Sequence, residues 1–194
     1  MTRVGWVVLG AVVLIAALFA SMVRLGGPER VVGLPEVRFE PSTTVAARPD
    51  GLPVLQVPVQ GVTRNQIADT WGQARSQGRV HHGTDIIAPG GTPVLAAADG
   101  TVEKLFDSRL GGTTLYERSV DRRWTFYYAH LRDYAPGVHE GQAVRVGDVL
   151  GYVGDTGDAG PGNYHLHFSL ARLAPEQHWW QGEDINAYPV LRGR

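Results

Sequence analysis

Beyond residue 25, glycine and proline punctuate this chain so densely that no long helix fits between them. The 194 residues include 25 Gly and 12 Pro, residues that favour turns and short strands over helices. From Gly61 onward the apolar runs are brief. Residues 94–98 end at Asp99-Gly100, a strong hairpin signal, and Thr101-Val102-Glu103-Lys104-Leu105-Phe106 follows. Gly111-Gly112 leads into residues 113–120, and residues 124–129 are aromatic and β-prone. Residues 138–144 and 144–151 each frame a glycine with apolar side chains, and residues 166–170 close the series. A single helix is expected, over residues 63–70. The fold class is all-β: an antiparallel two-sheet β-sandwich or flattened barrel over residues 61–194.

The first 25 residues are of another kind. Residues 4–23 run for 20 positions without a charge, and Ser21 is the only polar side chain among them. At ~1.5 Å per residue such a helix crosses the ~30 Å hydrocarbon layer. A soluble helix of that length carries a polar stripe, and this one has none. A cleaved signal peptide has a shorter apolar stretch of ~7–15 residues and a small-x-small site; Ala20-Ser21-Met22 is a poor one. Residues 1–25 are therefore read as an N-terminal transmembrane signal anchor. Arg3 and the free amine keep the N-terminus in the cytoplasm. The chain is then single-pass in the inner (cytoplasmic) membrane, with its domain in the periplasm or extracytoplasmic space. Residues 26–60 carry Pro28, Pro35, Pro41, Pro49, Pro53 and Pro58 and read as an extended tether.

Lys and Arg total 18 against 19 Asp and Glu, a net charge of −1. Nucleic acid binding needs a basic surplus, so no nucleic-acid partner is expected. The absence of cysteine removes disulfides, thiol catalysis and cysteine-held zinc together. Any metal must be held by His and carboxylates, and the chain has seven His.

One cluster is His81-His82-Gly83-Thr84-Asp85. Zinc takes imidazole nitrogen and carboxylate oxygen at ~2.0–2.2 Å, so a His and an Asp supply two corners of a tetrahedron. In a straight strand His81 and Asp85 stand ~13 Å apart; Gly83, at positive φ, is expected to bend the chain and bring them together. In His165-Leu166-His167-Phe168, strand alternation sends Leu166 and Phe168 to the core and both imidazoles to a cleft. One of them can bind metal while the other stands beside it. Tyr127-Tyr128-Ala129-His130-Leu131 adds a third signal, a His that reads equally as a core residue. Together they are what a zinc hydrolase requires: three protein ligands, a fourth corner for water, and further imidazoles to move protons.

The order of elements adds more. Trp71-Gly72 is followed by the His81 cluster, Gly91-Thr92-Pro93-Val94, Asp99-Gly100-Thr101-Val102, Tyr128-Ala129-His130-Leu131, the run 141–154, and His165-Leu166-His167-Phe168. This set resembles the lysostaphin/LytM-type zinc endopeptidases, which cut peptide bonds in bacterial peptidoglycan. The resemblance implies a LytM-like two-sheet β core with an open groove and zinc held by His81, Asp85 and His167. It implies that His130 and His165 are the catalytic pair, orienting the attacking water, accepting its proton and stabilising the oxyanion. The expected protein is a membrane-anchored zinc metalloendopeptidase acting on the stem or cross-link peptides of peptidoglycan. Members that have lost ligands and activate wall amidases set the alternative, a silent wall-binding regulator with a protein partner. Here all five positions are filled.

A lipoyl-like carrier module fits the repeated Val…Gly-Asp units but lacks an attachment lysine at a hairpin tip. His82 occupies a variable position of the motif, and His139 and His178 match none and are expected on the surface. Glu103, Glu117, Glu140, Glu176 and Glu183 stand in no recognisable catalytic spacing. Residues 156–164 are longer than the family's usual approach to the His pair, with Asn163-Tyr164 in place of small residues. The aromatic tail, His178-Trp179-Trp180 followed by residues 185–189, is expected to pack as a C-terminal strap, the other reading being a sugar- or peptide-binding groove.

Overall fold

The computed structural model describes residue 48 and residues 51–193. The expected membrane segment, residues 1–25, and most of the expected tether lie outside the described residues. Among the described residues no helix is long and apolar enough to cross a membrane.

Nine strands are described: β1 (Thr84–Ile87), β2 (Pro93–Leu95), β3 (Gly100–Ser108), β4 (Gly112–Ser119), β5 (Trp124–Tyr134), β6 (Ala143–Val144), β7 (Val149–Val153), β8 (His165–Arg172) and β9 (Glu183–Ile185). Their order is β1-β8-β5-β4-β3-β6, with β9 beside β8, and β7 joining β5 to β2. Every pairing is antiparallel.

The expected two sheets are one continuous sheet, because β5 serves both halves of it. Residues 124–129 of β5 pair with β8, and from Leu131 onward the same strand pairs with β7. The change of partner falls at His130, whose backbone is left-handed (φ 60°). Opposite it, β4 carries a register shift between Thr113 and Leu115, a bulge that lets the neighbouring strand follow the kink.

Two local expectations are corrected. Asp99-Gly100 is not a hairpin: β2 pairs with β7 and β3 with β4. The Asp99 carboxylate accepts the Val146 N–H instead (2.8 Å). Gly100 is needed for close approach, since a Cβ there would lie 2.5 Å from the Arg118 carbonyl oxygen. The helix expected over residues 63–70 shrinks to one 3-10 turn, Arg64–Gln66, capped by the Gln66 side chain on the Thr63 N–H (2.8 Å). Ile67 leaves that turn extended and buries its side chain. The one α-helix described, α1 (Ala187–Arg192), went unpredicted, although Asn186 caps its start and Gly193 its end.

The core gathers Leu115, Phe126, Tyr128, Leu131, Leu166, Phe168 and Leu170, all fully buried. Leu55, Val57 and Val59, which fall in the segment read as tether, are buried in the same core, and Val59 bridges Val94.

A carboxyl group lies in this core. Glu117 is fully buried, its Oε2 accepting the Tyr128 hydroxyl at 2.5 Å, while its Oε1 has no partner among the described residues. Burial, opposed by that hydrogen bond, pushes its pKa from 4.5 up to about 8. Between those values the folded chain holds a proton that the unfolded chain releases, so this group lowers stability as pH rises. Thermal midpoints measured from pH 5 to pH 9 are expected to fall more steeply in the parent than in Glu117→Gln. Parallel curves would show that Glu117 is ionised throughout.

Candidate metal centre

The register of β8 with its two neighbours builds the site. Asp85 on β1 lies directly opposite His167, and Ala129 on β5 lies opposite His167 from the other side. Cross-strand partners share a face, so Asp85, His167 and Ala129 all front one cleft. His165, two residues before His167, fronts it too. By the same alternation His130 would point with Tyr128 into the core. Its left-handed backbone breaks the alternation: Leu131 returns to the core while the His130 ring enters the cleft.

His81 arrives from the segment before β1. Gly72 and Gln73 pair with it through the Gly72 N–H to His81 carbonyl (2.9 Å) and the His81 N–H to Gln73 carbonyl (2.9 Å). Gly83 does not have the positive φ expected of it. It is there for space: a Cβ would meet His167 Cε1 at 2.5 Å and Ser169 Oγ at 2.8 Å.

The result is a tight triangle. His81 Nε2 lies 3.0 Å from Asp85 Oδ1, His167 Nδ1 lies 3.1 Å from the same oxygen, and the two nitrogens are 2.8 Å apart. Each outer ring nitrogen is already engaged. His81 Nδ1–H donates to the Thr70 carbonyl (2.7 Å). His167 Nε2–H donates to Ser169 Oγ (2.9 Å), whose own proton goes to the His82 carbonyl (2.9 Å). A carbonyl only accepts, so each imidazole carries its proton on the outer nitrogen and turns a lone pair inward. Three lone-pair atoms then converge with no proton between them. That is the donor set of a cation, and this trio is the group able to hold a metal ion among the described residues.

His130 and His165 follow the same rule. Their Nδ1 atoms donate to the Thr156 and Asn163 carbonyls, each at 2.8 Å. Their rings lie 4.9 Å apart, centre to centre, and His165 Nε2 is 3.8 Å from Asp85 Oδ1. Burial pulls the His130 pKa down to about 4 and lowers that of His167 as well. A base-rich, carboxylate-bearing centre results at neutral pH.

The surrounding cleft, about 450 Å³, brings further residues that the sequence did not single out. Arg75 pairs with Asp85 Oδ2, leaving Oδ1 to the triangle. The Thr70 hydroxyl accepts the Asp85 N–H at 2.9 Å. Tyr127 stands edge-on to His167, and burial pushes its hydroxyl well above the usual pKa, so it remains a proton donor. Arg79 and Asp158, from loops on two sides of the cleft, pair at 2.7 Å. Ser169, which orients His167, did have a signal, the period-two continuation of His165 and His167. The other histidines stand apart from the triangle: His82, at the cleft's edge, stacks on Trp71 and pairs with Asp184, and His139 and His178 are exposed.

Ser169 offers a test of the tautomer argument. Losing a hydrogen bond that orients a metal-binding imidazole typically costs ~10–100-fold in affinity. Zinc titration of Ser169→Ala against a competing chelator is expected to show a loss in that range with the thermal midpoint little changed. Unaltered affinity would mean that the hydroxyl does not orient His167.

A family model described as peptidase family M23 matches residues 79–186, which include all five cleft residues His81, Asp85, His130, His165 and His167. An L-Ala–D-Glu endopeptidase of Bacillus subtilis is 37% identical over 130 residues, 63% of this chain and 38% of the relative. The chain spans well under two thirds of the curated relatives it matches, 38% in that case and 20% and 25% in two others. Among solved structures, the catalytic domain of the antimicrobial peptidase lysostaphin from Staphylococcus simulans has a TM-score of 0.54 at 26% identity, over 65% of this chain and 91% of that one. A zinc-containing peptidase from Vibrio cholerae has a TM-score of 0.52 at 28% identity, over 66% of this chain and 37% of that one.

Proposed function

Since the chain belongs to peptidase family M23, we propose that it is a zinc-dependent endopeptidase hydrolysing peptide bonds in the stem or cross-link peptides of bacterial peptidoglycan. The observation that carries the reading is the convergence of three lone-pair atoms, His81 Nε2, Asp85 Oδ1 and His167 Nδ1, on one point of an open cleft. The relatives' own activities, an L-Ala–D-Glu endopeptidase and a lysostaphin peptidase domain, support a peptide bond of the wall as the target.

His81, Asp85 and His167 would hold the ion. When bound, zinc supplies Lewis acidity, lowering the pKa of a water toward ~7 and polarising a carbonyl. The chain's own residues do the rest. His130, whose pKa burial lowers to about 4, and His165 both turn Nε2 inward, so either is placed to accept a proton from the attacking water. Once protonated, the same nitrogen becomes a donor, first to the oxyanion and then to the departing amine. The backbone carbonyls of Thr156 and Asn163 fix both rings for that work. Arg75 holds Asp85 through Oδ2 and leaves one oxygen for the ion.

Residues 1–25 anchor the chain as a single span of the inner membrane, and the segment from residue 26 to about residue 50 lets the domain reach the wall. The support is the uncharged 20-residue run 4–23 and Pro28, Pro35, Pro41 and Pro49 after it.

The experiment is digestion of purified sacculi by the full chain in mild detergent, with fragments identified by mass spectrometry. New peptide ends are expected, their release stopping with a chelator and returning with zinc. A zinc-loaded chain that leaves sacculi intact would sink the enzymatic reading in favour of the regulator.

A further inference from the structure

The cleft does not end at the metal centre. Beyond His167 the same face of β8 carries Ser169 and Ala171, and these small side chains form the floor of a second hollow of about 300 Å³. Gly182 completes that floor, where a Cβ would come within 2.8 Å of the Ala171 Cβ. The hollow opens into the metal cleft, since His82, Tyr127 and His167 line both.

Its walls are flat rings. On one side Trp179 packs on Tyr116 (4.3 Å between centroids) and on Phe106 (5.7 Å), and Trp180 meets Trp179 edge-on at 4.9 Å. Packing of this strap is completed by β9 on β8. Trp180 nevertheless stays 60% exposed, its plane held by the stacked His178 ring (4.5 Å, 3°). On the other side His82 stacks on Trp71, and its Nδ1–H donates to Asp184 Oδ2 at 2.8 Å. His82 engages Oδ2, and the Asp184 side chain is 45% exposed.

Rigid aromatic faces, a small-residue floor and a carboxylate at the rim describe a site for a ring that is apolar on its faces and hydroxylated at its edge. A pyranose is such a ring: its C–H faces lie on indole, and its hydroxyls donate to a carboxylate. An apolar peptide side chain would instead strip water from the half-exposed His82–Asp184 pair without offering it a hydrogen bond, at a cost in desolvation. From His167 to Ala171 the strand advances ~13 Å, the length of about four extended residues. A sugar seated here is therefore within reach of a bond cut at the metal centre.

We propose that this hollow is a saccharide subsite, taking the amino-sugar ring that bears the peptide to be cleaved. The proposal rests on the endopeptidase reading for the identity of the sugar, and on the hollow itself for the class of ligand.

The test titrates the zinc-loaded full chain with a free N-acetylated amino-sugar disaccharide, followed by tryptophan fluorescence and calorimetry. Saturable binding is expected, weakened about tenfold or more by Trp180→Ala, the loss of one well-placed ring contact, and weakened also by Asp184→Asn. A second readout compares one peptide with and without the sugar at its amino end. The sugar-bearing form is expected to have the lower KM, and Trp180→Ala to erase that advantage while leaving the bare peptide's kcat unchanged. Absence of disaccharide binding, binding that Trp180→Ala leaves intact, or displacement of the sugar by the bare peptide would each overturn the subsite. Sugar binding without cleavage of either substrate would leave the subsite standing and remove the endopeptidase reading.

Discussion

Replacing His167 by alanine is expected to strip the zinc from the protein and reduce peptide hydrolysis by at least ~10³-fold, because the ion is a larger charge than any single oxyanion donor, whose loss costs ~10²–10³. The substitution leaves two of three ligands, His81 and Asp85, and Asp85 then has Arg75 as its nearest cation. A guanidinium already in place competes with the ion for the carboxylate. The fold should survive, because β8 is held by backbone pairing to β1 and β5, and the His167 ring bonds only to site residues and Ser169. His82→Ala is the informative control: its ring is 55% exposed and turned to Asp184, away from the triangle. Metal content per chain should collapse in His167→Ala and persist in His82→Ala, and turnover should collapse in His167→Ala. Zinc retained at full stoichiometry in His167→Ala would remove this residue from the ligand set.

What could be read from the residues follows a physical divide between local and distant causes. The alternation in His165-Leu166-His167-Phe168 is local, and the structure puts Leu166 and Phe168 in the core and both imidazoles on the cleft. Asp99-Gly100 is also local, yet it does not make a hairpin. The ladder preferences of β2 for β7 and β3 for β4 decide the pairing, and both partners lie further along the chain. Gly83 was legible as necessary and misread in cause, since the atoms it must avoid belong to His167 and Ser169, more than eighty positions away. Thr70 and Arg75 could not be found from spacing at all: they act on His81 and Asp85 only after the segment before β1 has folded back. The short helix α1 is legible from Asn186 and Gly193, and Pro189 at its third position does not forbid it. In the first turn a proline lacks only a hydrogen bond that the helix does not need.

His130→Asn separates the chemistry of this residue from its geometry. The imidazole reaches the cleft only because residue 130 is left-handed, and there β5 passes from β8 to β7. Alanine at such a position costs ~1–2 kcal/mol in backbone strain, so His130→Ala would mix a damaged kink with a lost base. Asparagine visits the left-handed region several-fold more often than most residues, and its shorter side chain fits where the ring stood. His130→Asn should therefore keep the thermal midpoint and bind zinc stoichiometrically through His81, Asp85 and His167. Its kcat should fall ~10²–10⁴-fold, the usual contribution of a positioned general acid–base group, with KM little changed. A fall in kcat and kcat/KM together marks an interaction made only in the transition state. If His130→Asn turned over at nearly the parent rate, His165 alone would carry the proton. His130 would then matter to this protein for the bend in β5, and the left-handed residue would be a hinge of the fold with an imidazole attached.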